Sequence, residues 1–293
     1  MYKIIQKRKI WLTISGFLVG LSIISLAVFG LNFGIDFTGG SLLEVRYENN
    51  RPDINLVKEK VADIDLESLV VQPVDENGMI LRFKDISEEK HQEILTKLEN
   101  PEELRFDSVG PSIGQELKRK SIYAILAVLI AIVVYIAWAF RKVSKPVQSW
   151  KFGVAAIIAL FHDVIITMGV FAVLGEFMSI EINTPFVAAI LTVLGYSVND
   201  TIVVFDRIRE NLPKSEEDFE GTINTSVNQT IVRSINTSLT TLLVLLSIFF
   251  FGGVTIRDFV LALSTGVFIG TYSSIFLASP ILVVWEKIKS SNS

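Results

Sequence analysis

The sequence predicts a polytopic α-helical membrane protein with six transmembrane helices and a small α+β ferredoxin-like extracytoplasmic domain between helices 1 and 2. Three observations carry this prediction. Half of the 293 residues are hydrophobic and the mean hydropathy is +0.49. The apolar residues form blocks of about 20, the length that crosses a hydrocarbon core, rather than amphipathic stripes. One polar stretch, 32–120, holds no such block, and Lys and Arg gather on alternate connections between the blocks.

Taken in order, Met1 to Lys9 is basic through Lys3, Lys7, Arg8 and Lys9, and Ile10 to Leu31 is the first span. The span is longer than the apolar region of a signal peptide, about 7–15 residues, and no A-x-A-like site ends it, so it reads as uncleaved. Residues 1–31 thus form the cytoplasmic N-terminus and first helix, 32–120 the extracytoplasmic domain, and 121–293 a five-helix transmembrane domain.

In the inserted domain, Gly34, Gly39 and Gly40 turn the chain out of the first helix. Ser41 to Tyr47 is strand-like and Asn55 to Ile64 has helical spacing. Val70-Val71 and Met79 to Phe83 flank Asp75-Glu76-Asn77-Gly78, whose Asn-Gly pair signals a hairpin. Ser87 is placed to cap a helix from Glu88 to Leu98, without a reciprocal capping box because Lys90 stands three residues on. Leu104 to Val109 is the last strand. The order βαββαβ is that of a ferredoxin-like domain, which by itself says nothing of function.

Ser108 to Leu117 returns the chain to the bilayer, and Ile122 to Phe140 is the second span. Arg141, Lys142, Lys145 and Lys151 crowd the next connection. Phe152 to Leu174 is the third span, broken near its middle by His162-Asp163, and Glu176 and Glu181 flank a connection without Lys or Arg. The fourth span carries Ser197, Asn199 and Asp200 and exits through Arg207 and Arg209. Pro213 to Asn228 is a polar segment with Glu216, Glu217, Asp218 and Glu220. Ile231 to Phe251, opened by Arg233, is the fifth span, and Phe259 to Trp285, followed by Lys287 and Lys289, the sixth. Under the positive-inside rule both termini are cytoplasmic and the large insertion lies outside the cytoplasm.

An ionisable residue in a lipid-facing helix costs about 2.5–3.5 kcal/mol on insertion scales, so it is kept for a pathway or a partner. Asp200 lies roughly 17 residues from the outer end of its span and Arg233 roughly 18 from that of its own, about 25 Å below the outer face at 1.5 Å per residue. The count makes Arg233 the natural partner of Asp200. His162-Asp163, about 11 residues from its outer end, stands roughly 9 Å higher. A carboxylate that is either paired with arginine or neutralised by a proton is a two-state element, so Asp200, Arg233, Asp163 and His162 are the candidate proton pathway. A static ion pair that only fixes helix packing is the structural alternative. Gly266-x-x-x-Gly270, with Ser264, Ser273 and Ser274 nearby, reads as a close-packing face. Ser197, Asn199, Thr237 and Thr240 read as packing or polar lining, the hydroxyls of the Asn236 to Thr241 cluster bonding backbone.

Several function classes fall away. A net charge of −4 and a pI near 5.4 provide no basic surface for nucleic acid. With no cysteine and only His91 and His162, there is no disulfide framework, thiolate metal site or Cys nucleophile. No Walker A sequence occurs, and no Ser/His/Asp or HExxH arrangement. The chain therefore reads as a non-enzyme. An intramembrane hydrolase with an Asp163–Asp200 dyad would need carboxylates a few ångströms apart, whereas the depth count separates them.

Gly34-Ile35-Asp36-Phe37-Thr38-Gly39-Gly40, SVGPSIGQEL from Ser108, Phe161-His162-Asp163, LGYSVNDTIVVFDRIREN from Leu194 and RSINTSLTT from Arg233 stand in this order along the chain. Together they resemble the SecF family, the smaller subunit of the bacterial SecDF protein-export complex, itself similar to half of a resistance-nodulation-division transporter. The resemblance covers nearly the whole chain. It implies that proton motive force drives late preprotein translocation, with SecD as the other half and the SecYEG channel with SecA as the machinery. YajC and YidC are further implied neighbours and an unfolded preprotein the cargo, with the proton as coupling ion and no other cofactor. It further implies that Asp200 and Arg233 are the intramembrane acid and arginine of the proton path, and that this is the form unfused to SecD. A related proton-driven exporter half for lipids or small amphiphiles, and a structural subunit, remain the other readings.

Overall fold

The computed structural model describes residues 1–74, 76–140 and 149–291. Asp75 of the predicted turn, and Arg141, Lys142 and Lys145 of the connection after the second span, lie outside the described residues. The chain forms two compact units, 33–122 and 1–32 joined with 123–293.

The first unit is the predicted α+β domain. Its strands β1 (Gly40–Arg46), β2 (Val70–Val74), β3 (Gly78–Phe83) and β4 (Glu102–Val109) form one antiparallel sheet in the order β2-β3-β1-β4. The helices are the short α2 (Ile35–Thr38), then α3 (Ile54–Lys60) after β1 and α4 (Glu88–Lys97) after β3. Alternation of apolar residues along each strand puts Leu43, Val45, Met79 and Leu81 on one face, where they meet Val57, Val61, Ile94 and Leu98 from the helical segments. Asp53 caps α3 by accepting from the Asn55 N–H at 2.8 Å. Ser87 occupies the cap position of α4 without the expected side-chain cap bond. Instead the helix is anchored by His91, which stacks on Phe106 of β4 at 3.8 Å with Glu88 and Glu103 on either side.

The glycine-rich entry is explained by close packing inside this unit. Gly39 and Gly40 have φ of 76° and 123°, whereas Gly34 is ordinary extended backbone. A Cβ on Gly39 would stand 2.9 Å from the Pro111 Cα, and one on Gly114 would stand 3.0 Å from the Gly39 nitrogen. The two glycine-bearing motifs, at 34–40 and 108–117, are thus two sides of one joint between the strands and the helix that leaves the domain.

The surface of this domain titrates in a defined direction. A hydrogen bond from Lys97 holds the Asp63 carboxyl below its usual range, one from Lys60 does the same for Glu99, and Gln92 followed by His91 does so for Glu88. Carboxyls with depressed folded-state values stabilise the fold above their unfolded value, and the contribution is lost as pH falls through the folded one. We therefore expect the difference in domain melting temperature between wild type and Asp63→Asn, small because the pair is exposed, to be fully present at pH 6 and to shrink as acidification passes below the usual carboxylate range into that of the depressed folded-state value. A difference that grows on acidification would contradict it.

The second unit carries the membrane helices. Among the described residues, six helices are long and apolar enough to cross a membrane: α1 (Arg8–Val28), α5 (Pro111–Ala139), α6 (Ser149–Met178), α7 (Thr184–Asn211), α8 (Phe219–Phe251), and a sixth made of α9 (Val254–Ser273) and α10 (Ser279–Ser291). Between α9 and α10 lies a π-helical turn, Ser274–Ala278. The spans of α6, α7 and the sixth helix bury half or more of their residues, whereas α1, α5 and α8 leave most of theirs exposed.

Two boundaries differ from the sequence reading. His162-Asp163 interrupts the apolar run but not the helix, since α6 is continuous through it. The polar segment 213–228 is largely helical, because α8 starts at Phe219, with Asp218 accepting from the Gly221 N–H at 2.8 Å as its cap. This polar first part of α8 receives the N-terminus. The Asn224 side chain accepts from the Ile4 and Ile5 N–H groups at 3.0 and 3.2 Å, and Asn228 accepts from the Tyr2 N–H at 2.7 Å. Glu220 pairs with Arg8 at 2.8 Å and Lys287 at 2.6 Å, tying three helices together at one end of the bundle. Hydrophobicity alone missed these turns, since their stability comes from polar partners distant in sequence.

Candidate functional site

The chemistry of the membrane unit is concentrated where α6, α7, α8 and the π turn meet. Small residues bring the helices together. Gly266 of α9 lies against Val193 of α7, so that a Cβ at 266 would fall within the Val193 side chain, and a Cβ at Gly270 would stand 3.0 Å from the Ser197 Cβ. Close approach of this kind is how small-x-x-x-small faces pack helices in lipid.

Asp200 sits on α7, part-buried. Its Oδ1 accepts from Ser234 Oγ of α8 at 2.6 Å and its Oδ2 from Ser274 Oγ of the π turn at 2.5 Å. Asp163 is fully buried on α6. Its Oδ2 accepts from Ser197 Oγ at 2.5 Å and Ser273 Oγ at 2.8 Å, and its Oδ1 lies 2.9 Å from His162 Nδ1. The buried His162 Nε2 has no hydrogen-bond partner among the described residues, and its ring stacks on Tyr272 at 6.1 Å. Tyr196 donates to Ser238 at 2.9 Å, and Ser238 and Thr271 share a bond of 2.5 Å, extending the hydroxyl network along the α7–α8–α9 seam.

Two expectations about geometry require correction. Arg233 does not pair with Asp200: among the described residues no ion pair joins them, and the Arg233 side chain is exposed. Depth counting placed the two at one level, and Ser234, the residue after Arg233, indeed reaches Asp200. Adjacent residues of an α-helix, however, point about 100° apart. Ser234 faces inward and Arg233 does not. The second correction concerns the step of roughly 9 Å between the acids. Asp163 bonds Ser197, which lies on α7 only three residues from Asp200, or about 4.5 Å along the helix axis. The count assumed parallel helices starting at one level, and the packing does not follow that assumption.

Arg233, Asn236, Thr237 and Thr240 all lie on exposed positions of α8. Thr237 donates to the Arg233 carbonyl at 2.9 Å and Thr240 to the Asn236 carbonyl at 3.0 Å, so these hydroxyls bond backbone. Asn199 is likewise exposed on α7. The residues that sequence reasoning passed over are the serines. Ser234 was not singled out at all, and Ser273 and Ser274 were read as packing. All three are buried polar side chains, and the signal available was only that a buried hydroxyl needs an acceptor.

The family described as Protein export membrane protein SecD/SecF, C-terminal, matches residues 90–288, and the SecD/SecF GG Motif matches residues 24–50. The protein translocase subunit SecF of Thermobaculum terrenum is 44% identical, over 98% of this chain and 94% of that protein. That of Desulfurispirillum indicum is 42% identical, over 93% of this chain and 88% of that protein. Among solved structures, the crystal structure of SecDF, a translocon-associated membrane protein from Thermus thermophilus, superposes with a TM-score of 0.86 at 34% identity, covering 98% of this chain. The present chain spans 39% of the length of that one.

Proposed function

This chain belongs to the SecF family of protein translocase subunits, and we propose on that premise that it serves protein export by coupling proton motive force to late preprotein translocation, together with SecD. The observation that carries the coupling step is the setting of Asp200. Its carboxyl, in the interior of a long apolar helix, is held by two serine hydroxyls and, among the described residues, by no cation. A hydroxyl can donate to a carboxylate and can accept from a carboxylic acid. The site can therefore gain and lose a proton without leaving an unpaired arginine behind, which an Asp–Arg pair could not do. Asp163, with His162 and two serines of its own, is a second protonatable station beside it.

Arg233 has a different part in this proposal. It heads an exposed polar stripe, Arg233, Asn236, Thr237 and Thr240, on a helix that must lie in lipid or against a partner. Polar residues in a membrane face a protein or water rather than acyl chains. The SecD half would cover this stripe and bring its own groups to Arg233. SecYEG with SecA would supply the unfolded chain, YajC and YidC would be further neighbours of the assembly, and this subunit would carry out no catalysis of its own.

The assay is preprotein export into membrane vesicles with SecYEG and SecA, with and without an imposed proton gradient, in the presence or absence of this chain and its SecD partner. Gradient-accelerated completion only when the pair is present supports the reading; equal acceleration without it overturns it. Orientation is tested separately. Because the chain has no cysteine, single substitutions can be labelled cleanly. We expect Asn77→Cys to react with an impermeant thiol reagent from outside the cytoplasmic membrane and Ser215→Cys to be protected, the reverse pattern placing the termini outside.

A further inference from the structure

The two acids of the membrane unit are held by adjacent residues of one chain segment. Ser273, the last residue of α9, reaches Asp163 Oδ2 at 2.8 Å, and Ser274, the first of the π turn, reaches Asp200 Oδ2 at 2.5 Å. Each hydroxyl also has an acceptor in its own helix, the Gly270 carbonyl at 3.1 Å for Ser273 and the Thr271 carbonyl at 3.0 Å for Ser274. A serine carries one hydroxyl hydrogen. Each therefore divides it between a side-chain acid and a backbone carbonyl three residues back.

Which acceptor prevails depends on the charge of the acid. Hydrogen bonds to an ionised group are roughly twice as strong as neutral ones, so a carboxylate draws the hydrogen. A protonated carboxyl is a weaker acceptor and a donor in its own right, which releases the serine hydrogen to its backbone carbonyl. Back-bonding of this kind bends helices. The carbonyls concerned, Gly270 and Thr271, belong to the last α-helical turn before the ladder changes to π spacing, a local irregularity that is adjustable and frequent at functional sites.

We infer that Ser273 and Ser274 are positioning residues that read the charge of Asp163 and Asp200 and convert it into the pitch of the sixth helix at the π turn, so that two acids drive one mechanical output. The inference rests on the proton-coupling reading of Asp200. The groups around the serine pair fit it. Asp163, with His162 bonded to it from its far oxygen, comes from α6 and Asp200 from α7, the Tyr272 hydroxyl turns away to Ser15 of α1, and α8 contributes the neutral Ser234. Ser197 and Ser234 hold each carboxyl from a second side, so the acids stay in place while the serine hydrogens change partner.

The test is amide hydrogen exchange across 270–282, measured on the full chain with its SecD partner in nanodiscs. Asp200→Asn supplies a permanently uncharged side chain. It should change exchange in this segment by about fivefold, the effect of one hydrogen bond gained or lost on a local opening equilibrium. The response should vanish in the Ser274→Ala background and return with Ser274→Thr, which keeps the hydroxyl. Asp163→Asn with Ser273→Ala should behave in parallel. A response to Asp200→Asn that persists at full size without the Ser274 hydroxyl, or no response in either pair, overturns the inference. Exchange is read without export, so its failure is distinguishable from loss of the gradient effect in the vesicle assay.

Discussion

Asp200→Asn should reduce gradient-stimulated export to the level seen without a gradient, because the side chain that would exchange the proton is gone. The substitution keeps shape and hydrogen bonding. The asparagine carbonyl accepts from one of Ser234 and Ser274, and its amide can donate to the other hydroxyl oxygen. The protein should therefore reach the membrane and assemble normally while lacking a group that exchanges a proton. Vesicles carrying the variant with its SecD partner are compared with wild type at equal protein levels, with and without the gradient. If both respond alike, Asp200 leaves the coupling path, and the search moves to Asp163 or to the partner subunit.

The second large effect is on folding. Gly266→Ala should lower the melting temperature of the purified protein by about 5–10 °C, from the usual cost of overpacking and the sensitivity of a chain of this size. The new methyl has no space, because Val193 occupies it. Gly195→Ala is the control, since nothing lies within 4 Å of a Cβ there and alanine favours the helix; we expect it to melt within a degree or two of wild type, roughly the scale of one helix-propensity change. Equal shifts for the two variants would mean that Gly266 is not what sets the distance between α7 and α9.

These predictions draw on the sequence to different degrees. Asp200 was legible because a carboxylate inside an apolar block is costly and therefore conspicuous. The Gly266–Gly270 face was legible from spacing, and the α+β domain from the alternation of its strands and the Asn-Gly turn. Ser234, Ser273 and Ser274 were not. Serine is common, costs little to bury when it can bond its own helix, and leaves no trace in a hydropathy profile. The first turns of α8 were unreadable for a related reason, since Asn224, Asn228 and Glu220 are satisfied by the N-terminus and by Lys287, which no local pattern displays.

The sequence by itself determined how many helices are long and apolar enough to cross a membrane, which connections carry the positive charge, and which acids interrupt the apolar blocks. Each of these depends on composition and on distance along the chain, which a hydropathy count and a rise per residue capture. Only the tertiary structure decided what those acids touch. The rotation of each helix about its axis is set by its packing neighbours, here Gly266 and Gly270 against Val193 and Ser197. Rotation of α8 turned Arg233 away and brought Ser234 to Asp200, and the seam of α7 with α9 placed Ser273, at the end of α9, and Ser274, at the start of the π turn, on the two carboxyls.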